Sequence, residues 1–322
     1  MVCVSILVPC YNVQEYLRQC LDSILEQTLK NIEIVCVNDG STDGTLEILN
    51  SYASLDKRII VISKENSGYG DTMNVALRRA KGEFVGIVES DDFVEPDMFE
   101  VLYTQAKKFD LDISRGCYYE YCNGVNSLVS NQWVPKNIVH NPNENQAAFW
   151  QAPSIWCSIY RRDWLKQNGI WFLPTPGASY QDTSFAFKCY ACCNRFRMLD
   201  KPLLHYRLDN SFSSVKSSGK AFCVCDEWEE IYRFVRSNKE RFNHLSPLLP
   251  LLQFGTYKWN YNRLNGKLKK KFLWVWIKEV VRRFIDGEIP IHKMDFRIGC
   301  KIKKIVFQFL TKNYDIHSGT SL

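Results

Sequence analysis

Apolar and polar positions follow two alternating periods over the first hundred residues. Four short apolar runs, VCVSILVP, IEIVCV, RIIVIS and EFVGIV, have the length of strands and are continuous enough to be buried on both faces of a sheet. The segments between them, such as EYLRQCLDSILEQTL, place apolar residues on one face of a helix. This βαβαβαβ order predicts a parallel sheet of the nucleotide-binding type, in which ligands bind beyond the carboxyl ends of the strands.

A polar loop follows each of these four predicted strands. The loops are PCYN (9–12), NDGSTDGT (38–45), KENSGYG (64–70) and ESDD (89–92). Since parallel strands end at the same edge of a sheet, we expect the four loops to meet there. The first loop lacks both glycine-rich phosphate motifs, and Pro9 and Tyr11 cannot replace those glycines. The phosphates of a bound nucleotide therefore need another counter-charge.

The fourth loop places three acids, Glu89, Asp91 and Asp92, within four positions. Two carboxylates about 4 Å apart repel by roughly 4 kcal/mol at an effective dielectric of about 20, so a cation or a shared proton is expected. A divalent metal held there could bind the diphosphate of a nucleotide. The simpler alternative is that Asp91 and Asp92 cap a helix that begins near Pro96.

The pattern becomes less regular after residue 112. We predict a strand over 155–160, a short helix over 162–168, and a second helix that has Gln181 and Asp182 at its entrance. The segment FRMLDKPLLHYR is predicted to form a strand hairpin. From about Lys220 onward the pattern is helical, and basic residues alternate with large apolar ones.

The balance of charged residues differs between the two ends of the chain. The 322 residues are 46% hydrophobic and 24% charged, which is typical of a globular protein. From Lys216 onward, Lys and Arg outnumber Asp and Glu by 21 to 10, whereas the preceding part is acidic. The segment KLKKKFLWVWIKEVVRRF has two interpretations: a solvated helix face, or an interfacial helix on an anionic membrane. No recognition module for nucleic acid is visible, so we expect no nucleic-acid partner.

The 13 cysteines are odd in number and scattered, which indicates reduced thiols and a cytoplasmic location. Cys189, Cys192 and Cys193 lie in a helical pattern, which favours buried thiols over a structural zinc site. The start of the chain reads as a strand and not as a secretory signal, and no apolar run approaches the roughly 20 residues that span a bilayer.

Taken together, the four loops and the later QDTSF resemble the family-2 glycosyltransferases. The resemblance rests on VSILVPCYN, VNDGSTDGT, NSGYG, AKGEFVGIVESDD and QDTSF, in order, and covers residues 2–214. It implies an inverting enzyme with a GT-A fold, which is a Rossmann-like α/β architecture with a mixed sheet flanked by helices. The NSGYGDTMNVAL variant is similar to bacterial transferases of surface-polysaccharide and lipopolysaccharide assembly.

The resemblance also implies a set of donor-binding residues. These are Pro9, Tyr11, Asn12, Asp39, Asn66, Gly68, Glu89, Ser90, Asp91 and Arg207. Asp39 matches the acid that receives the base N–H, which makes UDP the default donor nucleotide, although GDP stays open. A simpler alternative is that Asp39 is only a turn residue in NDGS. Position 89 holds Glu where the family usually has Asp, so Asp91 is expected to contact Mn²⁺ or Mg²⁺ directly.

Asp182 matches the catalytic base of the family, and Gln181 precedes it where Glu is common. Asp182 would take the proton of the acceptor hydroxyl, with an N-cap role as the simpler alternative. His205 and Tyr206 lie where many members contact the diphosphate or the acceptor. Arg207 has the same placement, with an ordinary surface residue as its alternative.

These observations predict a catalytic domain over residues 1–219 and a helical, basic region over 220–322. The expected enzyme is a metal-dependent inverting glycosyltransferase of the hexosyltransferase type. It would act on a glycan or lipid-linked acceptor in the cytoplasm or at the inner face of the membrane. Two alternatives stay open: a non-catalytic sugar-nucleotide-binding scaffold, and a sugar-phosphate nucleotidyltransferase.

Overall fold

The computed structural model describes residues 1–130, 132–210 and 220–289. The chain divides into two compact units, Met1–Ser217 and Ser218–Leu322. The first unit contains one large mixed sheet with helices packed against it, and the second is helical over the residues described.

The first unit begins with the alternation of strands and helices that the sequence predicts. Its elements are β1 (Val4–Cys10), α1 (Leu17–Leu25), β2 (Ile32–Asp39), α2 (Thr45–Leu55), β3 (Ile59–Lys64), α3 (Tyr69–Arg79) and β4 (Phe84–Ile87). The strands are parallel in the order β3-β2-β1-β4. Every residue of β1 and β2 is buried, as expected for strands that are covered on both faces. Their carboxyl ends bring the four polar loops to one edge of the sheet.

The remaining elements of the first unit extend this sheet with antiparallel and parallel strands. They are β5 (Phe93–Val94), α4 (Met98–Lys108), β6 (Ile113–Cys122), β7 (Val125–Val129), β8 (Val139–His140), β9 (Ser158–Arg161), α5 (Arg162–Gln167), α6 (Gln181–Cys192) and β10 (Phe196–Arg207). The full order is β3-β2-β1-β4-β9-β6-β10-β5, with β7 on β6 and β8 on β10. Because β9 runs antiparallel to β4 and β6, the sheet is mixed, as predicted.

Three predictions made from the sequence differ from this structure. FRMLDKPLLHYR is one strand, β10, and not a hairpin: it runs parallel to β6 with register shifts on both sides of Pro202. Proline cannot donate to the ladder, so the strand bulges there and continues in the same direction. Residues Ile155–Cys157 form a 3₁₀ turn, and the strand begins only at Ser158. Finally, α4 begins at Met98 with Asp97 as its N-cap, so neither Asp91 nor Asp92 caps it.

The second unit is helical, as predicted for the residues from Lys220 onward. Its helices are α7 (Cys223–Ser237), α8 (Lys239–Phe242), α9 (Leu249–Arg263) and α10 (Gly266–Ile285). The buried Arg283 stacks on the Tyr232 ring at 3.5 Å and is paired with Glu229 and Glu288 at 2.8 Å each. The part of the predicted helical region after residue 289, which includes IGCKIKKIVFQFLTK, lies outside the described residues. Within the described ranges, every helix is too short or too polar to cross a bilayer.

Candidate active site

Contacts from the end of β10 hold the acids that follow β4 in place. The backbone N–H of Arg207 donates to Asp92 Oδ1 at 2.8 Å, and its Nε donates to the Asp91 carbonyl at 2.7 Å. Asn210 Nδ2 donates to Asp91 Oδ2 at 2.8 Å. Asp92 is buried and Asp91 is only half-buried, so Asp91 is the more accessible of these two acids.

The repulsion among these acids appears in their pKa values. Burial raises the pKa of Glu89 to about 8; a hydrogen bond from Tyr69 opposes this change, and the charges of Asp91 and Asp182 add to it. Burial and the charge of Asp91 also raise the pKa of Asp92 well above its usual range. Protonation of these carboxyls would therefore relieve the repulsion that the sequence predicts, and a bound cation would be the other way to relieve it.

Asp182 lies in the first turn of α6, at the same group of acids. The N-cap of α6 is Tyr180, so Asp182 is the second helical residue and not the cap. Burial raises the pKa of its carboxyl to about 6, against hydrogen bonds from Thr183 and from the backbone. At neutral pH this carboxyl is mostly ionised and close to the pKa at which a general base works best.

Tyr206 shows that the acids from β4 and from α6 share one site. Burial raises the pKa of its hydroxyl, and the negative charges of Asp92, Asp91, Glu89 and Asp182 add to this effect. The Tyr206 ring stacks on Trp156, with centroids 5.1 Å apart and planes 3° apart. Three acids of the loop after β4 and Asp182, which is distant from them in sequence, therefore influence the same hydroxyl.

Asp39 ends β2 and is buried, with 4% of its surface exposed. Its Oδ1 accepts from Lys64 Nζ at 2.5 Å and from the Ser67 N–H at 2.9 Å, and its Oδ2 accepts from the Gly68 N–H at 3.0 Å. Its carbonyl accepts from Asn66 Nδ2 at 2.9 Å. Asp39 thus organises the loop after β3, which is more than a turn residue would do.

The first loop is tied to the second by Asn12. Its Oδ1 accepts from the Thr42 N–H at 2.8 Å, and its own N–H donates to Ser41 Oγ at 3.0 Å. Asn12 adopts a positive φ of 51°, which Asn tolerates better than most residues. Tyr11 is 50% exposed beside it, whereas Pro9 is buried in β1. The Tyr11 ring is therefore accessible to a ligand at this edge.

Ser90 and Arg207 have structural contacts around the loop of residues 89–92, called the acid loop below. Ser90 is buried beside the Cys10 thiol. The Arg207 guanidinium also donates to Gln19 Oε1 and Asp209 Oδ1, at 2.5 and 3.2 Å. These contacts hold the Asp91 loop; direct contact between Arg207 and the donor stays a prediction.

His205 joins neighbouring strands of the sheet. Its ring lies 3.0 Å from Glu95 Oε1 and 2.9 Å from Asn126 Oδ1, and it stacks on Phe93. The buried ring is thus satisfied by structural partners, as a core histidine usually is.

Gly68 has a backbone conformation that suits only glycine. Its φ is 96° and its ψ is 166°, and a Cβ at this position would lie 2.7 Å from both the Thr175 carbonyl oxygen and the Gly177 nitrogen. The loop that leads to Asp182 therefore packs directly on the start of α3.

We expect Gly68→Ala to lower the free energy of unfolding by about 1–3 kcal/mol from backbone strain alone, and by more from the clash. Urea denaturation measures this change. Gly124→Ala is the matched control, because Gly124 also has a positive φ (84°) but no atom lies within 4 Å of the added Cβ. Equal losses in the two variants would show that the packing against residues 175–177 contributes nothing.

The roles of three residues of the site were not predicted from the sequence. Tyr69 donates from its hydroxyl to Glu89 Oε1 at 2.6 Å. Lys64 bridges Asp39 and Asp71, the latter at 3.2 Å. Gln181 is buried and donates to Thr175 Oγ1 at 3.0 Å. The only sequence signal for them was their position, because each lies within or beside a motif that the resemblance used.

Comparison with known proteins identifies a family and a related sequence. A family model described as "Glycosyl transferase family 2" matches residues 5–169, about half of the chain. The uncharacterized glycosyltransferase EpsJ of Bacillus subtilis is 32% identical over 212 residues, which cover 63% of this chain and 60% of EpsJ. Because the match spans less than two thirds of that relative, its activity as a whole does not transfer directly.

Solved structures share the fold. Staphylococcus aureus TarS (residues 1–349), in complex with UDP, has a TM-score of 0.58 and 25% identity, and the match covers 73% of this chain and 65% of TarS. The mannosyltransferase PcManGT of Pyrobaculum calidifontis, in complex with GDP-Man and Mn²⁺, has a TM-score of 0.51 and 15% identity; its match covers 97% of this chain and 86% of PcManGT. The predicted GT-A fold is thus confirmed.

Proposed function

Because this chain belongs to glycosyl transferase family 2, we propose that it transfers a sugar from a nucleotide-diphosphate sugar to a hydroxyl of a glycan or lipid-linked acceptor. One observation carries the proposal: Tyr69 joins the acids after β4 to the loop before Asp182, because its hydroxyl donates to Glu89 Oε1 at 2.6 Å and its N–H donates to the Gly177 carbonyl at 2.8 Å. The similar TarS structure contains UDP, which supports a UDP-sugar as the donor. Cell-surface polysaccharide or lipopolysaccharide assembly is the proposed setting.

The proposed donor site is built from the loops after β1, β2 and β3. Pro9, Tyr11 and Asn12 would border the base, Asp39 would accept its N–H, and Asn66 with Gly68 would complete the wall. The accessible ring of Tyr11 and the buried carboxylate of Asp39 suit a flat base with a polar edge. Glu89 and Ser90 would border the sugar-phosphate side.

A divalent metal fits this arrangement through Asp91. Mg²⁺ and similar ions at nucleotide sites commonly use one or two carboxylates together with substrate phosphates and water. Within residues 1–130, 132–210 and 220–289, no group of three or more acids, cysteines or histidines could hold a metal by itself. The half-buried Asp91 together with a diphosphate matches the open type of site. Bound Mn²⁺ or Mg²⁺ would neutralise the negative charge that builds on the leaving diphosphate.

In the proposed reaction, Asp182 takes the proton of the acceptor hydroxyl. The acceptor oxygen forms a bond to the anomeric carbon, and the bond from that carbon to the diphosphate oxygen breaks with its electron pair going to the diphosphate. Attack from the face opposite the diphosphate inverts the anomeric centre. A pKa of about 6 keeps the Asp182 carboxyl ionised, and therefore able to accept a proton, at neutral pH.

The test is a panel of radiolabelled UDP- and GDP-sugars with the full chain and bacterial membrane extracts, with and without EDTA. Transfer of label to glycan or lipid with one donor, lost in EDTA, is the expected result. Stabilisation by nucleotide and Mn²⁺ without turnover across the panel would favour the scaffold alternative. Release of pyrophosphate from a nucleoside triphosphate and a sugar phosphate would favour the nucleotidyltransferase alternative.

We further propose that α10 attaches the protein to an anionic membrane surface, where a lipid-linked acceptor would lie. Lys270, Lys271 and Lys278 are exposed, and Leu273 is exposed among them. Each cation near an anionic surface contributes about 1 kcal/mol. Sedimentation with phosphatidylglycerol vesicles, but not with phosphatidylcholine vesicles, is expected; Lys270→Glu/Lys271→Glu should abolish it. Equal sedimentation of the variant would contradict the proposal.

A further inference from the structure

Three neighbouring contacts at the start of α3 reach three different parts of the proposed site. The Gly68 N–H donates to Asp39 Oδ2 at 3.0 Å. The Tyr69 hydroxyl donates to Glu89 Oε1 at 2.6 Å, and the Tyr69 N–H donates to the Gly177 carbonyl at 2.8 Å. Asp39, the loop that carries Glu89 and the loop before Asp182 therefore meet at one helix end.

The loop before Asp182 follows the surface of α3. Asn74 holds both backbone groups of Phe172: Asn74 Nδ2 donates to its carbonyl at 2.9 Å, and Asn74 Oδ1 accepts from its N–H at 3.0 Å. A Cβ on Gly70 would lie only 2.0 Å from the Leu173 carbonyl oxygen. Residues 172–177 therefore take their position from α3.

Gln181 links the position of residues 172–177 to the position of Asp182. Its Nε2 donates to Thr175 Oγ1 at 3.0 Å and to the Gly177 carbonyl at 3.3 Å, and its Oε1 accepts from the Ser179 N–H at 2.5 Å. These bonds close residues 175–181 into a compact turn. The next residue is Asp182, so a shift of Gly177 would move the proposed base.

Tyr69 also accounts for the glutamate at position 89. An aspartate there would be shorter by one methylene, or about 1.5 Å, and would leave the 2.6 Å bond to the Tyr69 hydroxyl unmade. The Tyr69 ring is fixed edge-on against Phe172, with centroids 5.8 Å apart. The hydroxyl therefore cannot follow a shorter side chain without moving the ring out of this contact.

We propose that Tyr69 is a positioning residue that sets the distance between the acids on the donor side and the proposed base Asp182. Its hydroxyl fixes Glu89, while its backbone fixes the turn that carries Asp182. This inference rests on the proposed function. It predicts that loss of the hydroxyl slows the chemical step and leaves binding of the nucleotide nearly unchanged, because Asp39, Ser67 and Gly68 keep their contacts.

The test is Tyr69→Phe, which removes one oxygen and retains the ring on Phe172. We expect kcat to fall about tenfold, since small misplacements of reacting groups are costly, while the Kd for UDP with Mn²⁺ changes less than about threefold. Tyr103→Phe is the matched control: the Tyr103 hydroxyl donates to Glu83 Oε2 at 3.1 Å, away from the site. This control should retain the kcat of the wild type.

A double-mutant cycle with Glu89→Asp, which retains the charge but withdraws the carboxyl from the Tyr69 hydroxyl, checks the partner. If the bond carries the effect, Tyr69→Phe should cost much less in kcat when Glu89 is already Asp. Unchanged kcat in Tyr69→Phe, or additive losses in the cycle, would overturn the proposal. If Tyr69→Phe lost UDP affinity and thermal stability in proportion to its loss of kcat, the proposal would also be overturned, because the role of Tyr69 would then be purely structural.

A second readout separates this inference from the proposed function. In the wild type, UDP with Mn²⁺ should slow amide exchange in residues 173–180, and Tyr69→Phe should lose at least half of that protection. Wild-type protein that transfers no sugar would refute the proposed function, yet this coupling could still be present. Equal protection in the two proteins would refute the coupling even if the enzyme is active.

Discussion

Asp182→Asn should abolish sugar transfer and leave nucleotide binding intact. The amide has nearly the shape of the carboxyl but cannot accept the proton of the acceptor hydroxyl, and a general base typically contributes 10²–10⁴-fold. Initial rates with the active donor measure the loss, and calorimetric titration with UDP and Mn²⁺ measures the retained binding. Transfer within tenfold of the wild type would show that another group is the base.

The pH dependence of the wild type provides an independent check. Since burial raises the pKa of Asp182 to about 6, the fraction of ionised base should increase from pH 5 to pH 7. The logarithm of kcat should therefore rise with a slope near one below pH 6 and level off above it. A flat profile between pH 5 and 7 would contradict the assignment of Asp182 as the base.

As the pH rises from 4 to 8, the free energy of unfolding should decrease while the activity increases. The pKa of Asp182 is raised in the folded state from 3.8 to about 6, so folding favours the protonated form. The stabilising contribution of that form is complete below pH 4 and is lost as the pH rises through 6. Two pKa units correspond to about 3 kcal/mol, and solvent around the partly exposed side chain reduces this to about 1–2 kcal/mol.

Asp182→Asn should therefore be about 1–2 kcal/mol more stable than the wild type at pH 8, and equal to it at pH 4. Urea denaturation at the two pH values measures the difference. An inactive variant that is also destabilised at pH 8 would indicate misfolding instead of loss of the base. A gain in stability at a cost in activity is typical of a functional site.

The sequence predicted the first half of the sheet well because its elements are long and periodic. β1 and β2 are buried on both faces, and the intervening helices show clear apolar stripes. The second half depends on tertiary pairing: β5 and β8 are two residues long, and no local pattern marks them. The hairpin predicted for FRMLDKPLLHYR does not form, because pairing with β6 on both sides of Pro202 keeps β10 in one direction.

The candidate site was predictable only as far as short motifs could mark it. Asp39 ends a strand, Asp91 lies in the loop after a strand and Asp182 lies in the first turn of a helix, so the motif and the topology together indicated their positions. Tyr69 acts through Glu89, twenty positions away, and Gln181 acts through backbone groups of a loop. Such roles depend on how α3 packs against residues 172–177, and no periodicity encodes that packing.

Asp91→Asn should lower turnover by about 100-fold or more, because a neutral amide is a weak ligand for Mn²⁺ or Mg²⁺, and bound metal supplies several kcal/mol of charge stabilisation. The variant should still fold, because its amide oxygen can accept from Asn210 Nδ2. In the wild type this nitrogen lies 2.8 Å from Asp91 Oδ2. The charge of Asp91 raises the pKa of Glu89 and Asp92, so its removal should also lessen repulsion. The measurement is turnover and UDP-induced thermal stabilisation across a titration of Mn²⁺.

Asp97→Asn is the matched control for this change. It removes the same charge from a partly exposed residue that pairs with Lys201, outside the acid cluster, and it should retain both turnover and the response to Mn²⁺. If the wild type keeps full turnover in EDTA, the acids after β4 do not act through a metal. Their mutual repulsion would then be relieved by the protons that the raised pKa values of Glu89 and Asp92 indicate, and Asp91→Asn should be nearly as active as Asp97→Asn.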